Sequence, residues 1–231
     1  MDWLKWTLWK AQNNTRRCTW MPPHPEDILE MAGDSQKCLV RSGDQLLDVL
    51  IESLKRLEEK LQGETPAARD IWDRTNNNLY KPIGENDFSE YVKRHFDKDL
   101  KKRGVISNRE VEIHRWERTD IHVDAVVRDS NGKNHDSVSV IIEVKGCWHK
   151  ELNTAMETQL VDRYLRDNPC QHGMYLVGWF NCDQWDSKDY RKEYAPKISI
   201  DEERIKVNVQ ADELSQQGMR IKAFVINTAL R

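Results

Sequence analysis

Residues 137–146, SVSVIIEVKG, form the most strand-like apolar run of the chain, and they carry a glutamate and a lysine near the end of that run. Side chains alternate across a strand, so Glu143 and Lys145 share one face while Ile142 and Val144 occupy the other. A carboxylate and an ammonium therefore point the same way from a strand whose other face is apolar. The acid-x-Lys spacing alone carries little, because it occurs four times, at Glu58-Lys60, Asp99-Lys101, Asp186-Lys188 and Glu143-Lys145. The first two fall in charged helical segments and the third in a polar loop, where a solvated surface pair is the ordinary meaning. Only the fourth lies on a strand.

A second strand, RTDIHVDAVV at residues 118–127, precedes it by the length of one hairpin. Asp120, His122 and Asp124 share one face there, with Ile121, Val123 and Ala125 opposite. Asp129-Ser130-Asn131-Gly132 supplies turn residues between the two strands. A hairpin would bring the polar faces together, as a hard-oxygen site for a divalent cation or as ordinary cross-strand pairs on a solvated sheet.

KPIGENDFSEYVKRHFDKDLKKRG, residues 81–104, places Phe88, Tyr91, Val92, Phe96 and Leu100 at helical spacing between Gly84 and Gly104. Glu85 sits in its first turn. NREVEIHRW, residues 108–116, reads as an opening strand. The order is a helix with a glutamate, a strand, an aspartate strand, a Glu-x-Lys strand and a helix, ELNTAMETQLVDRYLRD. GMYLVGWF then reads as a strand, and the tail from Lys206 as a helix followed by a strand, Ile221 to Ile226. The fold class is α/β, a mixed central sheet flanked by helices.

On these residues the chain resembles the PD-(D/E)XK nuclease superfamily, over about residues 78–231. The resemblance implies a restriction-endonuclease-like core and a metal-dependent phosphodiesterase, an endonuclease rather than an exonuclease, acting on nucleic acid, DNA first. It matches the acidic residue of the first helix to Glu85, the metal-binding aspartate to Asp120, the acid-x-Lys pair to Glu143 and Lys145, and a crossover-helix glutamine to Gln159. Asp120, Glu143 and the Val144 carbonyl would hold Mg2+ or Mn2+, with Glu85 as a further ligand. Thr119 stands where some members have proline, and Tyr164 follows Gln159 by five positions where related helices have four. Asp124 and Glu90 are the alternatives to Asp120 and Glu85 if the registers differ. In overall texture the chain is similar to nuclease domains at the C-termini of large bacterial proteins, many linked to antiviral and anti-plasmid defence. A catalytically silent nucleic-acid or protein-interaction module with the same fold is the alternative from another class.

Net charge is −3, from 36 basic and 39 acidic residues, which argues against a strongly basic nucleic-acid binder and leaves a local strip. Arg163 and Arg166, on the helix of Gln159, and Lys101 and Lys102, on the second half of the Glu85 helix, are the candidates for phosphate contact. Trp185 and Tyr190 are able to stack on a base or to anchor their loop. Five cysteines form no C-x-x-C pair, and Cys170 with His172 or Cys147 with His149 lacks the paired spacing of a zinc site. Reduced thiols, no membrane span and a cytoplasmic location are the expectation.

Residues 44–62 form an amphipathic helix with Leu46, Leu47, Leu50, Ile51, Leu54, Leu57 and Leu61 on one side. Thr65 and Pro66 read as the N-cap and first turn of a short helix. The polar stretch Thr75-Asn76-Asn77-Asn78 reads as a linker, dividing an N-terminal helical appendage, residues 1–77, from the nuclease-like domain, residues 78–231. Trp3, Trp6, Trp9 and Trp20 crowd the start. They suggest an N-terminal arm docked on a partner, through homo-oligomerisation or attachment to a larger regulatory chain.

Overall fold

The computed structural model describes Trp3, Thr7, Val40 and residues 42–64, 66–75, 79–101, 105–109, 112–114, 117–118, 120–128, 135–166, 170–215 and 218–231. Within them lie helix α1 (Gly43–Gln62), a 3-10 turn (Ala67–Ile71) and a small hairpin of β1 (Trp72–Arg74) and β2 (Tyr80–Pro82). Helix α2 (Glu85–Asp99) follows, then β3 (Val105–Arg109), β4 (Glu112–His114), β5 (Glu117–Arg118), β6 (Ile121–Arg128) and β7 (His135–Gly146). A π-helix (Met156–Leu165), β8 (His172–Trp179), a 3-10 turn (Tyr190–Tyr194), α3 (Ile200–Leu214) and β9 (Arg220–Asn227) complete the order.

The sheet has five strands in the order β3-β6-β7-β8-β9. β6 is antiparallel to β3 and β7, whereas β8 is parallel to both β7 and β9. The chain is thus a mixed α/β protein, with the Glu-x-Lys strand where the antiparallel half meets the parallel half. Helices cover both faces. Leu160 and Leu165 of the π-helix approach Gly173 on one side, while Phe88 of α2 approaches Gly178 on the other. Helix α1 buries Leu46, Leu47, Leu50, Leu54, Leu57 and Leu61 in the same core as the sheet and packs across β7, β8 and β9.

The boundary of the compact unit follows from that packing. The chain divides between Met1–Cys38 and Leu39–Arg231, so α1 belongs to the sheet-bearing unit. The stretch around residues 75–78 joins the paired strands β1 and β2. Gln62 donates its side-chain amide to the carbonyls of Asn227 and Ala229, and Trp72 Nε1 donates to Thr228 O at 2.8 Å. Trp3 is 71% exposed, and Trp6, Trp9 and Trp20 lie outside the described residues.

Several element bounds differ from the sequence expectation. The strand paired with β6 is Val105–Arg109, and residues 112–114 instead pair with 117–118 in a separate ladder. Val105 and Ser107 alternate inward, a period that the polar Ser107-Asn108 obscures. The turn after residue 65 takes Pro66 as its N-cap. Helix α3 starts at Ile200, six residues before Lys206, because Ser199 and Glu202 form a reciprocal capping box. Gly104, Lys102, Thr119 and the 129–134 turn lie outside the described residues. No helix among the described residues is long and apolar enough to cross a membrane.

Candidate metal and phosphodiester site

Pairing of β6 with β7 sets Ile121 against Ile142 and His122 against Ile141. One step further along that register, Asp120 stands opposite Glu143. Asp120 Oδ2 accepts the Val144 N–H at 2.8 Å, which fixes the aspartate beside the Glu-x-Lys segment. Lys145 Nζ donates to Glu143 Oε1 at 2.5 Å. Glu85 enters from the first turn of α2, its Oε1 accepting the Gly146 N–H at 2.8 Å. Three carboxylates and one ammonium, from three separate elements, therefore meet at the C-terminal end of β7.

Asp124 and Glu90, the alternatives, are engaged elsewhere. Asp124 accepts from Ser139 Oγ at 2.6 Å and lies 3.2 Å from His122 Nε2, further back along the strand pair. Glu90 lies 3.9 Å from Arg94 on α2.

Burial and the neighbouring charges together govern the titration of this group. Glu143 is 2% exposed, and its carboxyl is pushed up to about 7, by burial first and by Asp120's charge second, against the pull of Lys145. Burial also raises Glu85, opposed by its bond to the Gly146 N–H and by His149. For Lys145 burial works downward, yet Glu143, Asp120 and Glu85 outweigh it and hold the ammonium above its ordinary value. The acids move upward through burial first, and the base moves upward because the negative charge around it outweighs its own burial. Glu143 Oε2 is buried and has no hydrogen-bond partner among the described residues.

Those observations suit a hard divalent cation. No group of three or more His, Cys, Asp or Glu among the described residues is placed to hold one by protein ligands alone. Magnesium uses one or two carboxylates and keeps several waters, so a two-carboxylate set with surplus negative charge and an unbonded buried oxygen matches its demands. Asp120 and Glu143 are the residues that would hold it, with Glu85 reached through water.

Gln159 Nε2 donates to Glu151 Oε2 at 2.7 Å, so the structure binds it to a neighbouring acid and brings it into no direct bond with Asp120, Glu143 or Lys145. The residues 156–165 are π-helical, with Arg166 N donating to Val161 O. The wider turn of a π-helix brings residues five apart closer to one face than an α-helix does, so Tyr164 comes towards the side of Gln159 despite the extra position. Tyr164 is buried, and its hydroxyl is raised by desolvation and by the charges of Glu143 and Asp120. This tyrosine, whose role the spacing left open, stands near the carboxylates.

The candidate cations are weaker. Arg166 pairs with Asp162 at 2.5 Å, Arg163 lies 6.0 Å from the centre of its neighbour's Tyr164 ring, and Lys101 is exposed. Trp185 is buried against Trp72 and Trp148, with Nε1 donating to Asp189, so it anchors its loop. No protein-family model matches the chain, and neither the curated proteins nor the solved structures give a significant match.

Proposed function

We propose that this chain is a divalent-metal-dependent nuclease that hydrolyses phosphodiester bonds, in DNA first, with a core of the restriction-endonuclease type. The observation that carries this reading is the convergence of Asp120, Glu143, Lys145 and Glu85 at one strand end, with surplus negative charge around a buried, unbonded carboxylate oxygen. Magnesium or manganese, when bound, would neutralise the phosphodiester and lower the pKa of water at the site.

The protein's own part is positional and electrostatic. Asp120 and Glu143 hold oxygen ligands on a rigid strand pair. Lys145, shielded from solvent, donates to charge developing on the phosphate, where a low dielectric strengthens each hydrogen bond. Glu85 faces the same strand end from α2 and orients water through the oxygen that Gly146 leaves free. Gln159 would need to release Glu151 to reach water or phosphate, and Tyr164 would buttress Glu143. By resemblance alone, the chain would be the nuclease portion of a bacterial defence protein.

Titrating magnesium and manganese against wild type, Asp120→Ala and Lys145→Ala tests the reading, with calorimetry for the metal and cleavage of supercoiled and single-stranded DNA for activity. Cleavage lost in both variants, with metal affinity weakened mainly in Asp120→Ala, is the expected result. A second reading, a silent interaction module with this fold, draws on the lack of a three-ligand cluster among the described residues. Folded wild type that binds no divalent metal would establish it.

A further inference from the structure

Beside the carboxylates lies a cleft of about 750 Å³ that the proposed chemistry leaves unused. Glu85 forms one wall, Trp148 and His149 continue it from the loop after β7, and Tyr190 and Tyr194 close it from the 3-10 turn. The two tyrosines are 72% and 49% exposed, unusual for large rings whose neighbours Trp148 and Trp185 are buried in an aromatic cluster. Lys150 Nζ lies 5.2 Å from the centre of the Tyr194 ring.

Charge decides what fits there. Glu85, Asp87 and Glu151 line the cleft, against Lys150 and Arg191. Arg191 is already committed, bonding Asp189 and the carbonyls of Pro82 and Ile83 and lying 4.9 Å from the centre of the Trp148 ring. A phosphate would meet more acid than uncommitted base. A flat, uncharged aromatic face would meet two exposed rings and a rim of hydrogen-bonding groups.

One of those groups has a fixed orientation. His149 Nδ1 accepts the Glu151 N–H at 3.1 Å, which puts the ring proton on Nε2, and Nε2 faces Glu85 Oε2 at 3.8 Å. The wall shared by the cleft and the carboxylates is thus a Glu85–His149 pair. Glu151, on the cleft side, in turn holds Gln159.

Resting on the nuclease reading, we infer that the cleft receives an unpaired nucleobase beside the scissile phosphate, stacked on Tyr190 and Tyr194. The substrate is then single-stranded or locally opened nucleic acid. A base inside an intact duplex has both faces covered by its neighbours, whereas stacking on protein rings needs one face free, and it contributes sequence-tolerant affinity at each base.

The test uses the full chain and an oligonucleotide carrying one 2-aminopurine, whose fluorescence is quenched by stacking. Binding is measured in calcium, and cleavage of the same strand and of its duplex in magnesium. Tyr190→Ala and Tyr194→Ala are expected to lose the quenching and about tenfold in single-strand affinity, with duplex affinity unchanged. Tyr190→Phe and Tyr194→Phe keep both, since the ring face remains, and Tyr194→Leu, which keeps apolar bulk, loses them. Thermal melts matching wild type, expected for exposed rings, separate this from misfolding, and the Phe and Leu pair decides if an alanine variant melts early. If wild type cleaves the strand but the Ala and Leu variants bind and quench as it does, the stacking subsite is overturned and the nuclease stands. Tyrosine-dependent quenching without cleavage supports the subsite and removes the nuclease reading. Neither binding nor cleavage by wild type overturns both.

Discussion

Asp120 Oδ2 accepts the backbone N–H of Val144 at 2.8 Å, so the aspartate of one strand clamps the residue between Glu143 and Lys145 of the next. Two functions are joined in one side chain, a charge offered to the site and an acceptor for the sheet. Asp120→Asn keeps the acceptor oxygen, and Asp120→Ala keeps neither function. Thermal unfolding should show Asp120→Ala less stable by about 1–3 kcal/mol, the cost of an unpaired buried N–H, and Asp120→Asn close to wild type. Calorimetry should find divalent-metal affinity reduced in both. Equal stability of the two variants would mean that the clamp contributes nothing.

The Glu143 carboxyl, raised to about 7 from an ordinary 4.5, favours the folded state below its unfolded value and loses that advantage as pH climbs towards 7. In buffer free of divalent cations, Glu143→Gln should therefore gain on wild type between pH 5 and pH 8. The gain should be on the order of 3 kcal/mol, since each tenfold change in proton affinity between the folded and unfolded chain is worth about 1.4 kcal/mol. Urea unfolding at several pH values measures it. A difference that stays flat over this range would show that Glu143 titrates as an ordinary carboxylate.

Gly146 tolerates no side chain at a position where its N–H serves Glu85. A Cβ there would lie 2.6 Å from the Trp148 indole, which is held between Phe180, Trp185 and the Arg191 guanidinium. Gly146→Ala should shift the backbone, weaken the Glu85 bond and cost about 1–3 kcal/mol, readable as a melting point lower by several degrees. A crystal structure of the variant with the Glu85 contact intact would contradict this.

Burial pushes the Cys147 thiol up to about 12, so it carries almost no thiolate at mildly alkaline pH. Cys182 is half-buried. Brief alkylation of the native protein followed by peptide mass mapping should label Cys182 and leave Cys147 unmodified until denaturant is added. Labelling of Cys147 in the folded state would point to local opening after β7.

The strand-borne part of the site was legible because a period of two assigns faces without further information. Asp120, Glu143 and Lys145 needed only the pairing of β6 with β7, and the turn residues 129–132 announced it. What composition could not tell was whether Thr75-Asn78 linked domains or joined β1 to β2, since both roles use the same polar residues. Leucines on α1 showed that the helix had to be covered, and nothing in them named the sheet as the cover. The capping box of Ser199 and Glu202 was present in the sequence, masked by the charged run that follows it. Ten residues of π-helix share their apolar spacing with an α-helix closely enough that Tyr164 looked displaced from Gln159. Of the cleft's aromatic rings only Tyr190 stood out in the sequence, because Trp148 and Tyr194 join it through the tertiary fold alone.

Residues 227–229 hold the far end of α1 and its neighbours: Asn227 N donates to Glu58, its carbonyl and that of Ala229 accept from Gln62, and Thr228 accepts from Trp72. These bonds span 156 to 169 positions of chain. At translation speeds of about 5–20 residues per second, roughly ten to thirty seconds separate the synthesis of the two sides. Throughout that interval the α1 side chains that bond residues 227–229 stand without those partners, while β7 and β8, which the helix also crosses, are made earlier, so β9 completes a packing that the nearer strands begin.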